Sequence, residues 1–191
     1  MKIIDNYIDE NNFKIISETM NSDMFPWFFN DYKINSDLND DSVFNYQFTH
    51  RFYDDARITS KYFDSLLNPI LKKINAKALI RIKANLNPVS QELIRYDKHV
   101  DQDYSCKAAI YYVNSNDGYT MFDTQKVESK GNRIVFFDAD TVHSGTNSTD
   151  CKNRMVINFN YFYYGSRMVN YYHDCYTCVS SYICDILHNE I

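Results

Sequence analysis

Residues 133–145 read Arg133-Ile134-Val135-Phe136-Phe137-Asp138-Ala139-Asp140-Thr141-Val142-His143-Ser144-Gly145, a short apolar strand that runs into a histidine. On both sides of this stretch the apolar residues recur with a period of two. Strands are predicted over 78–86, 93–96, 105–114, 118–122, 133–137 and 154–164, because alternate side chains of a strand face opposite ways. Asn116-Asp117-Gly118 and Lys130-Gly131-Asn132 read as the tight turns between them, with Gly the least strained residue at positive φ.

Upstream the period is helical. Phe63, Leu66, Leu67, Ile70, Leu71 and Ile74 form one apolar stripe suited to packing on a sheet. Pro69 interrupts it, so either the helix kinks there or Asn68 caps a second helix that has Pro69 in its first turn. Residues 2–7 read as a short strand, Phe13, Ile16 and Met20 as one helix face, 30–42 as a loop and 44–53 as a strand. Met24-Phe25-Pro26-Trp27-Phe28-Phe29 is an aromatic cluster that belongs either to the core or to a pocket rim.

Helices followed by a run of antiparallel strands give an α+β, mainly β chain built as a barrel or jelly roll. The whole of 1–191 reads as one domain: a helical and aromatic support region over 1–77, a β core over 78–164 and a C-terminal helix over 165–191. Tyr172, Tyr176, Val179, Ile183 and Ile186 fall at helical spacing in that last segment, which suits packing or a homodimer contact. Cys175, Cys178, Cys184 and His188 offer a zinc set as the alternative reading.

Composition excludes several classes. The net charge is -5 with no Lys/Arg block, so the electrostatic footprint of a nucleic-acid binder is lacking. No apolar run is long enough for a membrane span, and Met1-Lys2-Ile3-Ile4-Asp5 is too short an apolar run for a secretion signal. Five Cys in such a chain read as reduced thiols of a cytoplasmic protein. Asn147-Ser148-Thr149 matches a glycosylation sequon but reads as a polar loop. His50 reads as structural.

The chemistry gathers around His143. His99-Val100-Asp101 sets an imidazole and a carboxylate two residues apart, on one face of an extended segment. Two imidazoles and one carboxylate on one side of a metal leave coordination positions open, the facial arrangement of non-haem Fe(II) oxygenases. Eleven residues beyond His143, Arg154 opens the mostly apolar strand Arg154-Met155-Val156-Ile157-Asn158-Phe159. Burying a guanidinium there is costly unless an anion meets it, and a carboxylate fits its paired donors. Asp138 reads as a strand-end cap or as an orienting group for the site.

Together these residues resemble the Fe(II)/2-oxoglutarate-dependent oxygenases, and among them the prolyl 4-hydroxylase-like branch. Ile94-Arg95-Tyr96 is similar to the Arg-Tyr pair that precedes the His-x-Asp in that branch. Ala109-Ile110-Tyr111-Tyr112-Val113-Asn114 is similar to its Ile-Tyr-Tyr-Leu-Asn strand, whose second Tyr contacts the distal carboxylate of 2-oxoglutarate. Residues 133–145 look like its strand leading to the distal His. The resemblance spans about residues 93–164. Only Asp97 and Lys98 stand where longer members carry a glycine-containing loop, so a trimmed rim is expected.

The resemblance implies a double-stranded β-helix of jelly-roll or cupin-like type, with Fe(II) held by His99, Asp101 and His143. It also implies 2-oxoglutarate as co-substrate, with Arg154, Tyr112 and Tyr96 at its distal carboxylate, O2 as oxidant and ascorbate as accessory reductant. The implied reaction hydroxylates an unactivated C–H bond and releases succinate and CO2. A prolyl residue of a protein or peptide is the default target; a free amino acid, another small molecule or a methylated base are alternatives. Asp101, where a small residue would leave room for halide, favours hydroxylation over halogenation. The rival readings are a non-catalytic cupin-like binding module and a metal-dependent hydrolase, which would leave Arg154 without a purpose.

Overall fold

The computed structural model describes residues 1–33 and 45–163. The expected C-terminal helix, its homodimer contact and its zinc alternative lie outside the described residues, as does most of the expected 30–42 loop.

Helix α1 (Glu10–Asn21) starts where the Asp9 carboxylate accepts from the Asn12 backbone N–H at 3.0 Å, satisfying a donor that a helix start leaves free. Ile16 and Met20 are fully buried beneath it. The Phe63–Ile74 stripe is one helical run. Its first part, Phe63–Leu67, winds as a π-helical turn and passes directly into α2 (Asn68–Ile74). Pro69 sits in the first turn of α2, where its missing N–H goes unnoticed; the cap position is Leu67 rather than Asn68, and it carries no side-chain capping bond. Asn75, at φ 54°, ends α2 in the left-handed conformation.

The strands form two antiparallel sheets. In the larger, β1 (Lys2–Ile4), β9 (Arg133–Asp138), β6 (Lys107–Tyr112), β11 (Asn153–Phe162), β5 (Ala78–Pro88), β3 (Gln47–Asp54) and β2 (Phe28–Asn30) lie in that order, with β4 (Arg57–Ile58) against β3. The smaller sheet is β10 (His143–Gly145), β7 (Tyr119–Phe122) and β8 (Gln125–Glu128). This is a mainly β, double-stranded β-helix, with the helices packed outside the large sheet.

Alternation sorts each strand of the large sheet between two clusters. Ile82 and Ala84, Ala109 and Tyr111, Ile134, and Met155, Ile157 and Phe159 face the helices with Ile16, Leu66 and Ile70. The opposite faces give Ala108, Ile110 and Tyr112, Val135 and Phe137, and Val156, which meet Phe122 and Val127 of the small sheet. Burying about 0.8 kcal/mol per methylene on both faces holds the layers together. The aromatic cluster divides: Phe25 is buried, Trp27 is half-buried with Nε1 donating to the Met20 carbonyl at 3.1 Å, and Phe28 and Phe29 are exposed.

Several expectations are corrected. Residues 93–96 are not a strand; Arg95 makes an isolated bridge to Thr146, just past the three-residue β10. Neither Gly118 nor Gly131 takes a left-handed φ; in the 130–132 turn Asn132, at 61°, does so instead, and Asp123 at 40° turns β7 into β8. The Asn132 side chain makes that conformation tolerable. Its Oδ1 accepts from Ile8 N–H at 3.0 Å and from the Tyr111 hydroxyl at 3.1 Å, and its amide donates to Ile8 O at 2.8 Å. β8 escaped the sequence because Val127 is its only apolar residue. Among the described residues no helix is long and apolar enough to cross a membrane.

Candidate metal centre and its cavity

His143 opens β10 and pairs with His99 across an isolated bridge, each backbone N–H donating to the other's carbonyl at 2.9 Å. The bridge sets the two imidazole centroids 4.5 Å apart. Asp101 is steered inward by its own N–H, which donates to Ala139 O at 2.9 Å. Each histidine Nε2 lies 4.0 Å from Asp101 Oδ1, and the three candidate ligand atoms fall within 4.8 Å of one another. Small rotamer adjustments would close that triangle on an ion bonding at about 2 Å to each.

Outer partners aim these ligands. His143 Nδ1 donates to Thr141 O at 2.9 Å, which leaves the lone pair of Nε2 facing Asp101. Asp101 Oδ2 accepts from the Asn160 amide at 3.1 Å, which leaves Oδ1 toward the histidines. The side chains of His143 and Asp101 are each 3% exposed and that of His99 is 28% exposed, so His99 stands at the mouth. Burial, and next the neighbouring His143, hold His99 below the ordinary imidazole range, in the neutral form that binds a metal.

The trio opens onto a cavity of about 280 Å³ between the sheets, and Arg154 lies in the same cavity. Arg154 is 2% exposed. Its Nε donates to Ser129 Oγ at 2.7 Å, Nη1 to Thr146 O at 3.3 Å and Nη2 to Thr120 Oγ1 at 3.0 Å. All three acceptors are neutral, and among the described residues no carboxylate pairs with it. Burial pushes its pKa down, the expected sign for a cation taken out of water without a counter-charge. Guanidinium remains protonated all the same.

Tyr112 lies beneath Arg154, its ring centroid 5.7 Å from Cζ, with its hydroxyl donating to Thr120 Oγ1 at 2.9 Å. Tyr96 lines the cavity wall, held by its N–H to Gly145 O at 3.0 Å, and Lys33 Nζ sits 3.8 Å over its ring. Asp138 points away from the site and pairs with Lys107. His50 is buried between Pro26 O at 2.8 Å and Ser60 Oγ at 2.7 Å, remote from the trio's cavity. Asn147 is buried with its amide donating to Glu92 O at 3.0 Å, so its nitrogen is occupied.

Gly118 matters by closeness. A Cβ there would stand 2.6 Å from Arg154 Cδ and would also strike the Asn147 carbonyl. Gly118→Ala is therefore expected to cost about 1–3 kcal/mol of stability by overpacking. Displacing the Arg154 stem should also weaken binding of a dicarboxylate by about tenfold, at 1.4 kcal/mol per decade; denaturant melts and ligand titration check the two effects.

One wall went unread in the sequence. Arg81, Lys83, Asn85 and Asn87 of β5 all line the cavity, opposite Asn160, Asn158, Val156 and Arg154 of β11. The signal was there, since polar residues alternate with Ile82, Ala84 and Leu86, but alternation does not say which face is inside. Burial, then the neighbouring Arg81, push Lys83 down to about 8, which keeps it mostly protonated at neutral pH. Arg81 Nη2 donates to Asn160 Oδ1 at 3.2 Å. Arg81 Nε and the Oδ1 atoms of Asn85, Asn87 and Asn158 are buried with no partner among the described residues.

No family model and no curated protein sequence matches this chain. Its fold is similar to that of a prolyl hydroxylase from Trichoplax adhaerens, solved in complex with a peptide fragment of the hypoxia inducible factor oxygen degradation domain. The two are 12% identical over 84% of this chain and 82% of that one, with a TM-score of 0.60. It is also similar to a prolyl-4-hydroxylase of Pseudomonas putida, at 10% identity over 85% of this chain and 92% of that one, with a TM-score of 0.56. At these identities the likeness is one of fold.

Proposed function

We propose that this chain is an Fe(II)- and 2-oxoglutarate-dependent dioxygenase that hydroxylates an unactivated C–H bond and releases succinate and CO2. The observation that carries the reading is Arg154, a buried guanidinium with only neutral partners in the cavity that His99, Asp101 and His143 share. A hydrolase or a simple metal-binding module would use the trio but would gain nothing from that cation. The donor set fits iron: two neutral imidazoles, one carboxylate and open positions on the cavity side. When bound, Fe(II) with 2-oxoglutarate and O2 supplies the oxidising chemistry.

The chain's own residues do the rest. Arg154, which has more donors than Ser129, Thr146 and Thr120 consume, takes the distal carboxylate through its remaining N–H groups. Tyr112 and Thr120 hold the guanidinium in place, and Tyr96 bounds the co-substrate on the wall side. Val156 and Ile110, on the cavity floor between the two ends, flank the methylenes and exclude water. Thr141 and Asn160 keep His143 and Asp101 in their ligating orientations. A prolyl residue in a peptide is the target favoured by the sequence resemblance, and a peptide-bound prolyl hydroxylase shares the fold.

Anaerobic titration tests the reading. Fe(II) followed by 2-oxoglutarate should produce a visible metal-to-ligand absorption band, and air should convert the co-substrate to succinate. A chelator should abolish both signals and added Fe(II) should restore them. A protein that forms no band at any Fe(II) concentration is not this enzyme.

A further inference from the structure

The dioxygenase reading leaves the two β5 cations of the cavity unexplained. Arg154 is matched by the distal carboxylate of the dicarboxylate. The ion, with Asp101 on one side, is matched by the other carboxylate. Lys83 and Arg81 then stand without a counter-charge of their own among the described residues. No described carboxylate forms an ion pair with either, and the nearby Asp54 is bonded to Arg51 at 3.0 Å. Lys83 and Arg81 are both partly buried, and taking cations out of water with no anion among the described residues to meet them is costly, so a second anion suits this part of the cavity.

Their place in the sheet separates this demand from that of Arg154. Asn87 is the β5 residue level with Arg154, and Lys83 is level with Asn158. Four residues of strand put Lys83 roughly 13 Å along β5 from Asn87. Arg81 is level with Asn160, the residue whose amide holds Asp101. Lys83 and Arg81 therefore flank the metal trio on its β5 side. The buried Oδ1 atoms of Asn85 and Asn158, close by on the same wall, add acceptors for N–H groups.

We infer that Lys83 and Arg81 form an anion subsite for the substrate, which presents a carboxylate beside the carbon that is oxidised. This rests on the dioxygenase reading and narrows it to amino-acid-like substrates. The carboxylate is either that of a free amino acid or that of an acidic or C-terminal residue in a peptide. Asn85 and Asn158 accept from the ammonium or amide N–H beside it.

The test uses matched pairs. Succinate release by the Fe(II)- and 2-oxoglutarate-loaded protein is measured with free L-amino acids and their amides, and with prolyl peptides carrying Glu or Gln next to the proline. Acids should stimulate at least about tenfold more than their amides, one decade per 1.4 kcal/mol; which arm responds identifies the source of the carboxylate. Lys83→Gln should erase the acid–amide difference and Lys83→Arg should keep it. Binding is read without turnover from the melting temperature of the anaerobic Mn(II) and 2-oxoglutarate complex, which acids should raise more than amides in wild type but not in Lys83→Gln.

Amides that match their acids, or a set in which no acid stimulates, would overturn the subsite. So would a Lys83→Gln variant that needs more 2-oxoglutarate but keeps the acid preference, since Lys83 would then serve the co-substrate. Failure of the dioxygenase reading itself is seen separately, as the lack of the absorption band in wild type.

Discussion

Asp101→Ala should yield a folded protein that no longer forms the Fe(II)–2-oxoglutarate band and releases succinate at least about 1,000-fold more slowly. Asp101 is the one anion among the three clustered ligands, and both imidazoles lie 4.0 Å from its Oδ1. Without it, a dication would face two neutral rings with Lys83 and Arg81 close by, so affinity should collapse. Asn160→Ala provides the graded control. It keeps the carboxylate but removes the hydrogen bond to Oδ2, together with the one that Asn160 Oδ1 accepts from Arg81, and loss of such an outer partner typically costs about 10–100-fold. Equal effects of the two changes, or a band that survives Asp101→Ala, would show that Asp101 is not a ligand. Calorimetric Fe(II) titration under argon gives the affinities directly.

Arg154→Met should separate function from stability. The buried cation has no anionic partner among the described residues, so replacing it with an apolar chain relieves a desolvation cost. Unfolding free energy should stay level or rise by about 1 kcal/mol, with Ser129, Thr120 and Thr146 left to rebond among themselves or with water. The dissociation constant for 2-oxoglutarate, read from the band, should rise by about 100-fold, corresponding to about 2.7 kcal/mol. A structural arginine would do the reverse: stability would fall by several kcal/mol and 2-oxoglutarate would bind as before.

Much of the architecture was legible because it rests on period. The two-residue alternation from 78 onward and the apolar stripe from Phe63 to Ile74 each fix a face, and apart from 93–96 they became strands and a helical run in the expected places. The short pieces were not legible. β10, with the sequence His143-Ser144-Gly145, carries too little apolar side chain for a pattern, and it exists because β7 pairs with it. The reading of 93–96 failed for the converse reason, since alternation in a segment cannot say whether a partner strand is long enough to pair with it.

The sequence by itself determined the residue types of the trio, their order and the arginine that follows, since ligand chemistry is local to each side chain. Only the tertiary structure decided how they meet. The His99–His143 bridge and the Ala139 carbonyl that positions Asp101 are contacts across 38 to 44 residues of chain, which no spacing rule specifies. It also decided that the polar face of β5 turns inward. An alternating strand can bury either face, and here Ile82 and Ala84 are claimed by the helix-side core. That leaves Arg81, Lys83, Asn85 and Asn87 to line the cavity beside the trio.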